Sequence, residues 1–254
     1  AFDFEFVNRA VTQGQQPRRT SYFSNSELAM GAGPADPGVR ALLEPYRDSL
    51  VPGALEAYAL PSSDGSPRNR ANLLKALKLL EAAGWKAENG RMVGPDGQPF
   101  RFEILLQSGQ SEVPAMIFAD ALRQIGIEAH ITVVDQAQYN ERRTGYEFDM
   151  IVNAWNMSLS PGNEQALYWG RSGVTTPGSR NYAGIDSPAV EAMIGKILEA
   201  TDRAAFVTAV RALDRVLQWG YYLIPTWYSD EVWIASWNRF GRPPQAPRYS
   251  LGLK

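Results

Sequence analysis

Cysteine is absent from all 254 residues, which excludes disulfides, thiol nucleophiles and thiolate metal sites while leaving the cellular compartment open. Histidine occurs once, at His130 in the middle of EAHITVVD. Nucleophilic catalysis needs a base held beside the nucleophile, and zinc or di-iron sites need clustered His and carboxylate ligands, so a single mid-strand histidine reads as structural. No metal or cofactor is expected. Neither GxSxG nor a glycine-rich phosphate loop occurs; GAGPADPG at 31–38 carries two prolines, follows no strand, and reads as a loop. Positive charge is not in excess, with 25 Lys and Arg against 27 Asp and Glu, and the arginines are scattered. That leaves no basic field for a phosphate backbone, so nucleic acid is not an expected partner. No run approaches the 18 consecutive apolar residues of a membrane span. An initiating Met, a charged n-region and a signal-type apolar region are also missing, an expectation of a start removed by processing or by design.

What is present is ordinary globular material, 44% hydrophobic and 20% charged. The opening AFDFEFVNRAV reads as the middle of a helix, with no capping residue leaving room for a first turn. Residues 12–67 are rich in Pro, Gly and Ser around one short helix near 39–50, and are expected to lie over the surface. The spacing predicts a helix over 71–83, with Leu73, Leu74, Leu77 and Leu80 on one face and Gly84 at its end. Asn89-Gly90 and Asp96-Gly97 mark tight turns ahead of the strand FRFEILLQ at 100–107. Strand and helix then alternate: a helix near 112–125, a strand at 127–135, a helix near 137–144 and an apolar strand at 148–155. This βαβαβ order predicts a mainly parallel α/β sheet flanked by helices, with its ligand crevice beyond the strand carboxyl ends at Gln107–Gln110, Asp135–Gln138 and Trp155–Ser160. Later helices are predicted from Pro188, with Val190, Met193, Ile194, Ile197 and Leu198 inward, and from Asp202, with Phe206, Val207, Val210, Leu213 and Leu217 inward. The segment 223–240 has strand composition, and the tail from 241 reads as extended.

The most informative stretch is FDMIVNAWNMSLSPGNEQALYWG, residues 148–170. An apolar strand gives way there to Asn156, Ser158, Ser160 and Asn163, bracketed by Trp155 and Trp169, a composition that can both stack on a ligand and bond to it. Paired carboxylates for glycoside hydrolysis would need Asp149, Glu164 and Asp230-Glu231 to converge. A hydrogen-bonded structural role explains Asp149 equally well. Eight aromatics fall between Trp219 and Phe240. The simplest account of them is an interface with polypeptide outside this chain.

FDMIVNAW, SLSPGNEQ, TPGSRNYAG and RALDRVLQWG, together with SYFSNSELA, LLEPYRD and DGSPRNRANLLKALKLLEAAGW, resemble the Yej-type branch of the bacterial extracellular solute-binding proteins that deliver oligopeptides to ABC importers. The resemblance implies a periplasmic-binding-protein-like fold of type II, oligopeptide-binding class. It further implies that residues 1–222 form the C-terminal ligand-binding lobe, and that 223–254 return to an N-terminal lobe lying outside this chain. Partners implied are a peptide or peptide-like ligand and the permease subunits, and the implied location is the periplasm. In the wider family an aspartate in the loop after the equivalent of Trp155 pairs with the peptide's amino terminus; here Ser158 stands three residues past Trp155, a departure from amine anchoring. The expected ligand residues are therefore Trp155, Asn156, Ser158, Ser160 and Asn163, with Arg180 and Asn181 for a carboxylate or phosphate. Two other functions stay open: an α/β hydrolase-type enzyme acting on peptides or sugars, and a scaffold lobe with a shallow, apolar crevice.

Overall fold

A computed structural model describes residues 1–230 together with Ala235, Trp237, Arg239 and Gln245. In chain order its elements are α1 (Phe4–Thr12), α2 (Pro37–Leu43) running into a 3-10 turn (Glu44–Ser49), α3 (Arg70–Ala82), β1 (Lys86–Glu88), β2 (Arg91–Val93), β3 (Arg101–Gln107), α4 (Val113–Arg123), β4 (Glu128–Val134), α5 (Gln136–Gly145), β5 (Met150–Ile151), α6 (Glu164–Trp169), a 3-10 turn (Arg171–Gly173), α7 (Pro188–Glu199) and α8 (Arg203–Trp219). Most helices start where a side-chain oxygen can take an orphan amide. Asp36, Asn69, Asp135 and Asp202 each accept from the first turn of α2, α3, α5 and α8. Gly84, with φ +88°, follows α3 in the left-handed region that lets a glycine end a helix. Asn89 and Gly90, at φ +49° and +79°, form the two-residue turn between antiparallel β1 and β2.

The chain divides into two compact units. The first comprises Ala1–Gln15, Ala59–Asn156 and Asn163–Ser187; the second comprises Gln16–Tyr58, Met157–Gly162 and Pro188–Lys254. Segments of the two units alternate along the chain.

In the first unit a three-stranded sheet of order β4-β3-β5 is parallel throughout, with Leu106 opposite Val133 and Leu105 opposite Ile151. Alternation along β3 sends Ile104 and Leu106 to one face, where Ala115 and Phe118 of α4 cover them. Leu105 goes to the other face, against Tyr139 of α5. Beside the sheet, Leu73, Leu77 and Leu80 of α3 pack with Trp85 and Phe100 on Met92, Leu122, Ile125 and Ile127. Leu74, predicted to share the inward face, is exposed because the stripe that meets this cluster runs through 73, 76, 77 and 80. The opening segment also differs from expectation. Asp3 caps α1 by accepting from Phe6 N at 3.0 Å, and the same buried carboxylate accepts from Asp64 N and Asn69 Nδ2, both at 2.9 Å.

In the second unit α7 and α8 lie side by side, with α2 against α8. Val190, Met193, Ile194 and Ile197 face Val210, Leu213 and Leu217 in the core, but Leu198 is exposed. The irregular segment predicted to cover the surface is partly core: Ser21, Tyr22, Phe23, Leu28 and Met30 are buried. Two neighbouring charged residues inside α8 explain how a loop can be buried. Asp214, fully enclosed, accepts from Ser21 Oγ at 2.6 Å and from the amides of Tyr22 and Met30 at 2.8 Å each. Arg215 donates to the carbonyls of Gly33 and Glu56 at 2.7 Å, and to those of Ala54 and Gly31 at 3.2 and 3.3 Å. Backbone groups that no helix or strand satisfies thus find partners in one acid and one base. Of the segment predicted as strand at 223–240, only 223–230 is continuously described. It is extended, with Thr226 O accepting from Arg19 N at 2.8 Å and Trp227 bridging to Arg18. Most of the remainder, and the tail from 241, lies outside the described residues.

Burial pushes the Asp214 carboxyl up from 3.8 to about 6, against the pull of its hydrogen bonds from Met30, Ser21 and Tyr22. A raised acid contributes stability that is complete below its unfolded value and is lost as pH rises through the folded one, so the loss falls between pH 4 and 6. Asp214→Ala should cost about 3 kcal/mol or more in denaturant melts, because three buried donors lose their acceptor. The stability of the natural chain relative to Asp214→Asn should decline by about 3 kcal/mol between pH 4 and 7. A flat difference across that range would contradict the burial of a titrating carboxyl.

Candidate functional site

The carboxyl ends of β3, β4 and β5 form one end of the first unit's sheet, and three loops leave from it. After β3, Gln110 Oε1 accepts from Gln107 N at 2.8 Å, closing the turn on itself, and Ser108 N donates to Val134 O of β4 at 2.7 Å. After β4, Asp135 accepts from Ala137 N at 2.8 Å and Gln138 N at 3.0 Å, so its carboxylate serves α5. After β5 the chain runs without regular structure from Val152 to Asn163. The strand expected over 148–155 is shortened to Met150–Ile151. Asp149 accounts for its beginning: its Oδ2 takes the Glu103 amide of β3 at 2.8 Å, so a side chain stands where a ladder partner would.

Trp155 lies four residues beyond β5 and is half-buried. Its ring centroid is 5.1 Å from that of Trp169, tilted by 45°. Trp169 is fully buried and donates from Nε1 to Gln165 Oε1 at 2.9 Å, one turn back along α6. The Nε1 of Trp155 is enclosed, yet meets no hydrogen-bond partner among the described residues. Leaving a buried indole N–H unbonded costs about 1–3 kcal/mol. Asn156 and Asn163 are exposed, and Asn163 precedes α6 without capping it. Ser158 and Ser160, both exposed, belong to the second unit, where Ser158 Oγ accepts from Ser160 N at 3.1 Å.

The loop carrying Arg180 and Asn181 is held from several sides. Tyr146 Oη bonds to Gly173 O at 3.0 Å and Ser179 Oγ at 2.9 Å, and Gly178 N donates to Thr144 O at 3.1 Å. Arg143 lies over the rings of Tyr139 and Tyr182, at 5.5 and 5.7 Å. Glu103, drawn below its ordinary value chiefly by the hydrogen bond from Arg142, ties α5 to β3. Asn181 is buried with its amide turned inward: Nδ2 donates to Gly170 O and Ile185 O at 2.9 Å each, and Oδ1 accepts from Ile185 N at 2.8 Å. Both of its hydrogens are used by the loop, which leaves it positioning the backbone instead of meeting a ligand. Arg180, its neighbour, is exposed, and its guanidinium has no ion-pair partner among the described residues. Its amide bonds to Leu167 O of α6 at 3.2 Å, so α6 links the Arg180 loop to the Trp155–Trp169 pair.

Of the carboxylates that glycoside hydrolysis would need, Glu231 lies outside the described residues. Asp149 is engaged with β3, His130 is exposed on β4, and among the described residues no group of three His, Cys, Asp or Glu side chains is placed to hold a metal ion. Also among them, no helix is long and apolar enough to cross a membrane.

The sequence profile of bacterial extracellular solute-binding proteins, family 5, middle region, matches residues 1–176. The chain belongs to that family. It is 42% identical over 258 residues to the uncharacterized protein y4wM of Sinorhizobium fredii, covering 100% of this chain and 38% of that protein. It is 39% identical over 255 residues to the probable peptide-binding protein YejA of Agrobacterium fabrum, covering 100% of this chain and 41% of that one. The family 5 chain therefore spans about two fifths of the length of these relatives. Among solved structures it is similar to the oligopeptide-binding protein AppA from Bacillus subtilis in complex with a nonapeptide, with a TM-score of 0.64, 19% identity, and coverage of 89% of this chain and 39% of that one. The fold is of the type II periplasmic-binding-protein class, in agreement with the parallel sheet and flanking helices expected from the sequence.

The two neighbouring residues Arg180 and Asn181 should separate in experiment. Asn181→Ala should destabilise the loop by about 2–3 kcal/mol, seen as faster amide exchange over residues 170–187, because three buried backbone groups lose their partner. Arg180→Ala should leave that exchange unchanged. Equal effects would show that Asn181 does not organise the loop.

Proposed function

We propose that this chain is the C-terminal ligand-binding portion of the substrate-binding component of a bacterial ABC importer, which takes oligopeptides or peptide-like ligands in the periplasm and delivers them to a membrane permease. The observation that carries this reading is the half-buried Trp155, with an enclosed and unpartnered Nε1, just beyond the carboxyl end of a parallel sheet in a solute-binding family. The similarity to a probable peptide-binding protein and to a fold-mate solved with a nonapeptide supports peptide as the ligand class. In this reading the protein is a carrier and not an enzyme, and no observation favours the hydrolase alternative.

Trp155, Asn156, Asn163 and Arg180 are the proposed contacts in the first unit. Trp155 stacks and donates, the two asparagines bond to peptide backbone, and Arg180 takes a carboxylate or phosphate. Asn181 holds the loop under Arg180. Ser158 and Ser160 continue the same stretch of chain and remain proposed contacts, now counted in the second unit. Residues from 223 onward are proposed to return to the rest of the protein.

In the full-length protein, Trp155→Ala should weaken binding of the co-purifying ligand by about 1–3 kcal/mol, measured calorimetrically after the ligand is identified by mass spectrometry. Unchanged affinity would remove Trp155 from the site. The 254-residue chain alone should bind that ligand about a thousandfold more weakly than the full-length protein, since a two-lobed receptor encloses its ligand from both sides. Sub-micromolar binding by the isolated chain would show a complete site within it.

A further inference from the structure

Arg203 occupies an unfavourable place for a cation, the first residue of α8, where it meets the positive end of the helix dipole. Other groups hold it there. Its guanidinium pairs with Glu27 Oε1, donating from Nε at 3.1 Å and also from Nη2, and it lies over the ring of Phe206 at 5.2 Å. Glu27 is itself fixed. Its carbonyl accepts from Arg211 Nε at 3.1 Å and Nη2 at 2.8 Å, and the next residue, Leu28, is fully buried. A planar guanidinium tied to such a residue has little freedom left to lose when it bonds elsewhere.

From that position Arg203 Nη1 reaches the carbonyl of Leu159 at 3.5 Å, a long bond from a charged donor. Leu159 stands between Ser158 and Ser160. Ser158 Oγ accepts from Ser160 N at 3.1 Å, which closes the turn on itself. Among the described residues, the bond from Arg203 is the one that reaches 158–160 from elsewhere in the chain. The internal bond uses Ser158 Oγ as an acceptor only, so its hydroxyl proton and the whole Ser160 hydroxyl are left for an outside partner. Glu27, Arg203, Arg211 and the turn all belong to the second unit.

We propose that Arg203 is a positioning residue for ligand binding: tethered by Glu27, it pins the Leu159 carbonyl and so holds the hydroxyls of Ser158 and Ser160 where the ligand meets them. This rests on the peptide-binding reading above, in which the two serines touch the ligand. The support runs outward from the core, from buried Leu28 to Glu27, then to Arg203 and the turn. A turn ordered beforehand costs less to engage than one that must be ordered on binding. Direct capture of a ligand anion by Arg203 fits less well, because Glu27 already neutralises its charge. One such bond to a surface turn is on the scale of a three- to tenfold change in affinity, roughly the worth of a single hydrogen bond.

The test is a double-mutant cycle in the full-length protein, titrated calorimetrically with the small molecule extracted from the purified natural protein, one preparation serving every variant. Ser158→Ala combined with Ser160→Ala should weaken binding about tenfold, and Arg203→Gln alone about three- to tenfold. Added to the serine pair, Arg203→Gln should cost less than about twofold more, because the hydroxyls it positions are gone. Arg203→Lys, which keeps the charge facing Glu27, should recover part of the affinity. Glu27→Gln, which frees Arg203 without removing it, should weaken binding in the natural background and not in the serine-less one, and it serves in place of Arg203→Gln should that variant fail to fold. Loss of equal size in both backgrounds, or no loss from either Arg203→Gln or Glu27→Gln while the serine pair matters, would overturn the positioning role and leave the peptide-binding reading standing. Full affinity in the serine pair variant would remove the serine contacts from that reading and this proposal with them.

Discussion

Buried backbone that belongs to no helix or strand must still find hydrogen-bond partners, and the second unit is organised around that requirement. Asp214 and Arg215 are adjacent in α8, yet they serve opposite needs, one accepting from the amides of Tyr22 and Met30 and the other donating to four carbonyls between Gly31 and Glu56. With those groups satisfied, Tyr22, Phe23 and Leu28 can enter the core without forming an element of their own. Removing either charge would leave several unpaired polar groups in an apolar setting, a larger loss than any one contact between the helices.

The same solution recurs in the first unit with smaller means. Asp3 joins the start of α1 to the loop before α3, and its carboxyl behaves oppositely to that of Asp214. Burial opposes its charge, but hydrogen bonds from Asn69, Phe6, Asp64 and Gly65 outweigh burial and hold it below its ordinary value. Its contribution is present at neutral pH and is lost on acidification. Asn181 performs the equivalent task with an uncharged amide, bracing Gly170 and Ile185 so that Arg180 stands on a fixed backbone. A free guanidinium on a braced loop is better prepared to meet an anion than one on a mobile loop, because less ordering remains to be done on binding.

Polar residues near the strand ends thus divide into those that build the loops and those left available. Gln110, Asp135 and Asn181 are builders, whereas Asn156, Asn163 and Arg180 are not engaged in this way. Composition treats the two groups alike, which is why a reading of the sequence assigned Asn181 to the ligand beside Arg180.

The helices with caps, the hairpin turns and the parallel βαβαβ order were legible from residue pattern, because caps, turns and periodicity act over a few neighbouring positions. Family membership was equally legible in FDMIVNAW, TPGSRNYAG and RALDRVLQWG. Tertiary structure alone decided that β5 pairs over only two residues, that Leu74 and Leu198 face outward, and that Ser21–Met30 is drawn inside. The short β5 and the buried loop depend on partners distant in sequence, Glu103 for Asp149 and Asp214 for Tyr22. Local pattern can state that a side chain is able to bond or be buried, and the packed chain determines which group it reaches.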